Sequence, residues 1–145
     1  MSASDRVAST LGAALQAYLD ARAAALLAAR KALGINELDA RALLHILGHP
    51  GTRPVELRSV FGLTSAGVTV LTDRLVDRAV LRRDPDPDDR RSVRLTATVD
   101  MSEAPWSELT RFDTGLETAV TELDAGEADR FASLLSGLTR RAVAG

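Results

Sequence analysis

Apolar residues recur along most of this chain at helical spacing, and only one short stretch alternates. Val7, Leu11, Leu15, Tyr18, Ala25 and Ala29 keep a helical period, no proline falls between Ser4 and Leu33, and Gly34 supplies a stop. That pattern predicts one long helix. Asn36 is placed to cap a second, which runs to about Gly48 with Leu43, Leu44 and Leu47 inward before His-Pro-Gly-Thr closes it. Thr52 is placed to cap a third, with Pro54 in its first turn and Val55, Leu57, Val60 and Phe61 following. Gly62-Leu63 turns the chain, Thr64 caps a fourth helix, and Val68, Leu71 and Leu75 give that helix one apolar face. Two helices joined by a short turn containing glycine have helix-turn-helix spacing.

The period then changes. Val80-Leu81-Arg82-Arg83 reads as a strand, and Val93, Leu95 and Ala97 alternate with Arg94, Thr96 and Thr98 as a second strand with one buried face. The two prolines and four aspartates between them continue neither strand and predict a loop, with Arg90 and Arg91 at its return. Beyond it, Asp100 or Ser102 is placed to cap a helix with Pro105 in its first turn. Trp106, Leu109, Phe112, Leu116 and Val120 track one face of that helix to about Leu123. A break at Leu123-Asp124-Ala125-Gly126 precedes a last helix from about Glu127, which carries Phe131, Leu134, Leu135 and Leu138 and ends on Arg140 and Arg141.

The predicted fold is therefore mainly α with a small β wing. A winged helix-turn-helix (36–99) is flanked by an N-terminal helix (1–35) and C-terminal helices (100–145), which together form a second, all-helical layer. At about 1.5 Å per residue the first helix extends some 40 to 45 Å, more than so small a domain needs for its own core. A partner subunit is the economical explanation; a helix that spans its own domain is the alternative.

Composition narrows the function. A chain of 145 residues with 46% hydrophobic and 26% charged residues is the size and balance of one folded domain. No cysteine is present, which removes disulfides, thiolate metal sites and cysteine redox chemistry. The longest strongly apolar run, Ala23 to Ala29, is far short of the roughly 20 residues of a membrane span, and the N-terminus lacks a signal-peptide pattern. No membrane partner and a cytoplasmic location are expected. The net charge of −2 is uneven, with residues 1–35 at +2, 36–98 at +1 and 99–145 at −5. Global charge thus argues only weakly for nucleic acid, and local placement must carry the argument.

Placement does point there. The fourth helix turns Ser65, Ala66, Thr69, Val70, Asp73 and Arg74 away from its apolar face, and small or hydroxylated side chains keep it thin enough for a major groove about 12 Å wide. Arg82, Arg83, Arg90, Arg91 and Arg94 fall in the wing, and the arginine fork suits phosphates and the minor groove. The competing reading makes the wing arginines a solvated loop with exposed ion pairs of little energetic consequence. Residues expected on DNA are Ser65, Ala66, Thr69, Val70, Arg74, Arg90 and Arg91. His45 and His49 stand at i, i+4, but no third ligand is signalled nearby, so no metal is expected. Asp84, Asp86 and Asp88 imitate the start of a calcium loop, yet Asp89 replaces its glycine and Leu95 its bidentate glutamate. No catalytic constellation or phosphate loop follows, so neither enzyme activity nor a cofactor is expected.

The stretch PVELRSVFGLTSAGVTVLTDRLVDRAVLRRDPDPDDRRSV, above all the Asp89-Arg90-Arg91 wing motif, resembles MarR-type winged-helix transcriptional regulators. The long first helix and the closing LDAGEADRFASLLSGL extend the resemblance over nearly the whole length. It implies a homodimer whose first, fifth and sixth helices interlock. Recognition helices from about Ser65 to Arg78 would enter major grooves of a pseudo-palindromic operator, and Arg90 or Arg91 would reach the minor groove or its phosphates. Asp89 would hold a wing arginine in place. Such regulators often repress nearby genes and release DNA when a small aromatic ligand fills an interlayer crevice, for which Tyr18, His45, Trp106, Arg111 and Phe112 are the candidates here. The competing and favoured reading makes aromatics at this helical spacing plain core. Val70 departs from the basic or polar residue common at its position, Gly67 lies inside the recognition helix, and Ala79 replaces a frequent glycine. Val70, the near-neutral middle segment and the aspartate-rich loop leave open a winged-helix protein-interaction module that has lost DNA binding.

Overall fold

The computed structural model describes residues 2–145, which form two compact units, one ending at Leu109 and the other running from Thr110 to Gly145. The first begins with helix α1 (Ala3–Leu33), opened by a capping box: the Ser2 hydroxyl accepts from the Asp5 amide, and the Asp5 carboxylate accepts from the Ser2 amide. Gly34, at φ +63°, ends it in the left-handed conformation that glycine adopts without strain. Arg78 donates to the carbonyls of Leu33 and Gly34, both at 2.8 Å, so a cation satisfies the acceptors at the negative end of the helix.

Helix α2 (Glu37–Gly48) is capped by Asn36, as its sequence predicts. Helices α3 (Pro54–Phe61) and α4 (Ser65–Asp77) follow, then an antiparallel pair, β1 (Leu81–Pro85) and β2 (Val93–Ala97), in register from Leu81 opposite Ala97 to Pro85 opposite Val93. Leu43, Ile46, Leu57, Leu71, Leu75, Val80, Leu81 and Leu95 form the core where these elements meet, and Ala29 and Leu33 join it from the end of α1. A 3₁₀ turn (Trp106–Leu109) adds Leu109 to the core and packs Trp106 against it.

Three expectations are corrected. Thr52 does not cap α3. Its hydroxyl donates to the His49 carbonyl at 2.6 Å, its own carbonyl accepts from the Leu95 amide at 2.8 Å, and Arg53 takes the cap position with its amide on the Glu56 carboxylate. Pro85 continues β1 rather than ending it, since a proline closing a two-stranded ribbon forfeits no ladder bond to a further strand. The helix expected from Asp100 or Ser102 through Leu123 is interrupted: Asp100 accepts from the amide and hydroxyl of Ser102 in a local turn, and a new helix starts only at Arg111.

That helix, α5 (Arg111–Val120), and α6 (Ala125–Ala144) make the second unit. Asp124 caps α6 through the Glu127 amide at 3.0 Å. Neither helix contains a buried residue, and Phe131, Leu134, Leu135 and Leu138 on α6 are all exposed. Among the described residues, no helix is long and apolar enough to cross a membrane.

Candidate nucleic-acid interface

The α3–α4 turn is built by Gly62, at φ +64°, with the Leu63 amide on the Arg58 carbonyl at 3.0 Å. Thr64 then caps α4 through the Gly67 amide at 3.0 Å. A side chain at Gly67 would bring its Cβ to 3.3 Å from the Thr64 hydroxyl, so the glycine leaves the cap room to close. Val68, Leu71 and Leu75 are buried, which turns Ser65, Ala66, Thr69, Val70 and Asp73 to solvent.

Arg74 is placed differently from the sequence expectation. Its guanidinium leaves the outward face and closes on the buried Asp39 of α2, with Nε 2.9 and 3.1 Å from the two carboxylate oxygens. The hydrogen-bonded Asp39 carboxylate also holds the guanidinium above its ordinary pKa. A second arginine braces the same helix from the sheet: Arg83 donates to the Thr72 hydroxyl at 2.7 Å and pairs with Asp73. Between α3, α4 and the strands lies a groove of about 430 Å³, lined by Val55, Arg58, Ser65, Thr69, Asp73 and Arg83 among others.

The wing turns on Asp86, whose side chain is wholly buried. It accepts from Arg53 Nε of the α3 cap at 2.7 Å and lies 3.1 Å from the Arg94 guanidinium of β2. The Asp88 amide, followed by the Arg94 and Arg53 guanidiniums, holds its carboxyl down at about 2, against the cost of burial. Asp89, expected to fix a wing arginine by its side chain, instead accepts from the Arg91 backbone amide at 3.0 Å, while its carbonyl accepts from the Ser92 amide. It shapes the loop return. The side chains of Arg90 and Arg91 are exposed and have no hydrogen bond or ion pair among the described residues. Asp86, Arg53 and Asp39 escape the sequence reading because nothing in their spacing separates a buried aspartate from the exposed ones beside it.

A larger cleft of about 650 Å³ opens against α1, α2 and the end of α3, with Leu19, Arg22, Arg41, Leu44, His45 and Phe61 on its walls. The His45 ring stacks on His49 at 4.3 Å and meets Phe61 edge-on at 5.8 Å, and Arg41 lies over the Phe61 ring. Of the five residues expected around a ligand, His45 lines this cleft. Tyr18 lies on α1 outside its lining, Trp106 is packed on the core, and Arg111 and Phe112 belong to the second unit.

A helix-turn-helix followed by a two-stranded wing defines a winged helix-turn-helix protein. The sequence profile of the MarR family matches residues 33–92, which hold the helix-turn-helix and most of the wing, and the fold is the winged-helix fold of MarR-type proteins. Solved structures agree over a longer span. The YusO protein from Bacillus subtilis is 20% identical, with a TM-score of 0.65 over 97% of this chain and 99% of its own. The transcriptional regulator Tm0710 from Thermotoga maritima is 27% identical, with a TM-score of 0.56 over 83% and 89%. A mutant MarR from E. coli complexed with operator DNA is 23% identical, with a TM-score of 0.54 over 89% and 93%. No curated protein matches the chain in sequence.

Proposed function

We propose that this chain is a DNA-binding transcriptional regulator that works as a homodimer on a pseudo-palindromic operator and represses the genes beside it. The observation that carries the reading is the outward face of α4, Ser65, Ala66, Thr69 and Val70, combined with a braced wing whose Arg90 and Arg91 have side chains uncommitted among the described residues. In this reading α4 enters the major groove, and the wing arginines take the minor groove or its phosphates, where a guanidinium is worth most. The similarity to a MarR solved with operator DNA supports it. Homodimerisation is supported by the apolar residues left exposed along α1, among them Val7, Leu11 and Leu19, and along α6. A small aromatic effector fits the α1–α2 cleft, where Arg22, Arg41 and His45 stand beside Leu19 and Phe61.

Fluorescence anisotropy with duplexes from the DNA flanking the gene tests the reading. Binding that exceeds that to random DNA and weakens linearly with the logarithm of salt is expected. No retention at low ionic strength, with stoichiometric capture of a protein instead, would replace it by the interaction-module reading. Deletion of the gene should raise expression of its neighbours.

A further inference from the structure

We infer that α4 selects thymine by its 5-methyl group, with Val70 as the specificity-determining residue and Ala66 beside it; this rests on the DNA-binding reading above. Base edges in the major groove offer donors, acceptors and, on thymine alone, a methyl group. Purines are read bidentately by arginine, lysine, asparagine or glutamine. Within α4 the sequence SAGVTVLTDRLVD supplies one such side chain, Arg74, and its guanidinium is closed on Asp39. Asp73, the acceptor that could take a cytosine amino group, is engaged by Arg83. The Thr69 hydroxyl gives its proton to the Ser65 carbonyl at 3.0 Å, and the Thr64 hydroxyl oxygen accepts from the Gly67 amide at 3.0 Å, so both are oriented by the helix backbone.

Among the exposed α4 side chains that stand outside these bonds in its first two turns, the Ser65 hydroxyl has only the apolar Ala66 and Val70 beside it. Val70 is 60% exposed and takes no part in the core, which uses Val68, Leu71 and Leu75 of the same helix. Ala66 lies four residues earlier, one turn away on the same side. Packing inside the chain therefore does not explain an isopropyl group at position 70. Set against a donor or acceptor it would desolvate a polar edge without compensation, whereas against a thymine methyl both partners leave water. Phosphate contacts from the wing add affinity but carry no sequence information, so the methyl contact decides which base α4 accepts.

The test starts from duplexes enriched by the full chain from a random pool and resynthesises them with deoxyuridine for thymidine. Thymine should dominate at least one position in each half-site, and its replacement by deoxyuridine should weaken binding about fourfold per contacted methyl with an unchanged salt slope. V70A, folded by the criterion of an unchanged urea midpoint, should bind thymine and uracil duplexes alike. Wild-type binding indifferent to the methyl, or discrimination retained by V70A, overturns the inference and leaves DNA recognition standing. If no duplex is enriched at low salt, the DNA-binding reading and this inference fall together.

Discussion

Arg74 of α4 reaches across to α2 and closes its guanidinium on Asp39, a carboxylate whose side chain is 2% exposed while the arginine's is 39% exposed. The two ends of this pair are unequal, and so are the consequences of cutting them. Arg74→Ala leaves a buried charge without a partner, which should cost about 3 kcal/mol, the low end for an orphaned buried ion because water can enter along the vacated side chain. Asp39→Asn leaves an arginine that water already reaches, and should cost about 1 to 2 kcal/mol. Urea unfolding of both variants checks the order. A normal midpoint with weakened DNA binding for Arg74→Ala would instead make that residue a DNA contact.

Asp86 gives the wing an acid-sensitive anchor. Its folded pKa of about 2 lies below the ordinary 3.8, so the unfolded chain takes up a proton first as the pH falls. The stabilisation is therefore complete above 3.8 and is lost as the pH falls from there through about 2. Asp86→Asn should be less stable than wild type at neutral pH, and the gap should close within that window. Denaturant midpoints taken at a series of pH values measure it; a gap independent of pH would show that shape, not charge, holds Arg53 and Arg94.

Ala79 sits at φ +56°, in the left-handed region that a Cβ disfavours, where it joins α4 to β1. Its amide bonds the Val76 carbonyl at 2.8 Å, and its carbonyl accepts from the Thr98 hydroxyl at 2.6 Å, so the surrounding bonds impose the conformation. Ala79→Gly should raise stability by about 1 kcal/mol, the left-handed penalty less the entropy of a freer unfolded chain. Thermal unfolding reads the gain, and a loss would mean that the penalty is already relieved.

How far the sequence speaks for itself differs between these positions. Asn36, Thr64, Gly34 and Gly62 act through chemistry local to their own turn, and their roles are legible because a cap or a left-handed glycine needs only its neighbours. Ala79 stands out only through the family resemblance, as an alanine where a glycine is frequent. The break before Arg111 is not legible, because Leu109 and Phe112 keep helical spacing across it, and periodicity cannot register a change of backbone direction that preserves phase. The partners of Arg74 and Asp86 are hidden for another reason. Asp39 is 35 residues from Arg74 and Arg53 is 33 from Asp86, so only the assembled fold brings these charges together.

The wing arginines should separate affinity from stability. Arg90 and Arg91 are exposed and hold nothing in place among the described residues, so Arg91→Ala and Arg90→Ala should leave the urea midpoint unchanged. Each should weaken DNA binding across all sequences and lower the salt slope by about one. Anisotropy at several salt concentrations measures both. An unchanged slope in the double variant would remove the wing from the proposed interface.

The proposed homodimer makes a sharper demand on α6. Phe131, Leu134, Leu135 and Leu138 stand at i, i+3, i+4 and i+7, a stripe that a helix ordinarily turns into a core, yet Leu134 is 61% and Phe131 52% exposed. Such a stripe facing water costs free energy until something covers it, at about 25 cal/mol for each Å² removed from water. A second copy brings the same stripe and can cover it symmetrically. Sedimentation equilibrium should give twice the chain mass. Leu134→Asp should shift it to the monomer and weaken binding to a two-half-site duplex far more than to a single half-site, because only the dimer links the two contacts. A wild-type chain that sediments as a monomer at micromolar concentration would refute the two-fold assembly.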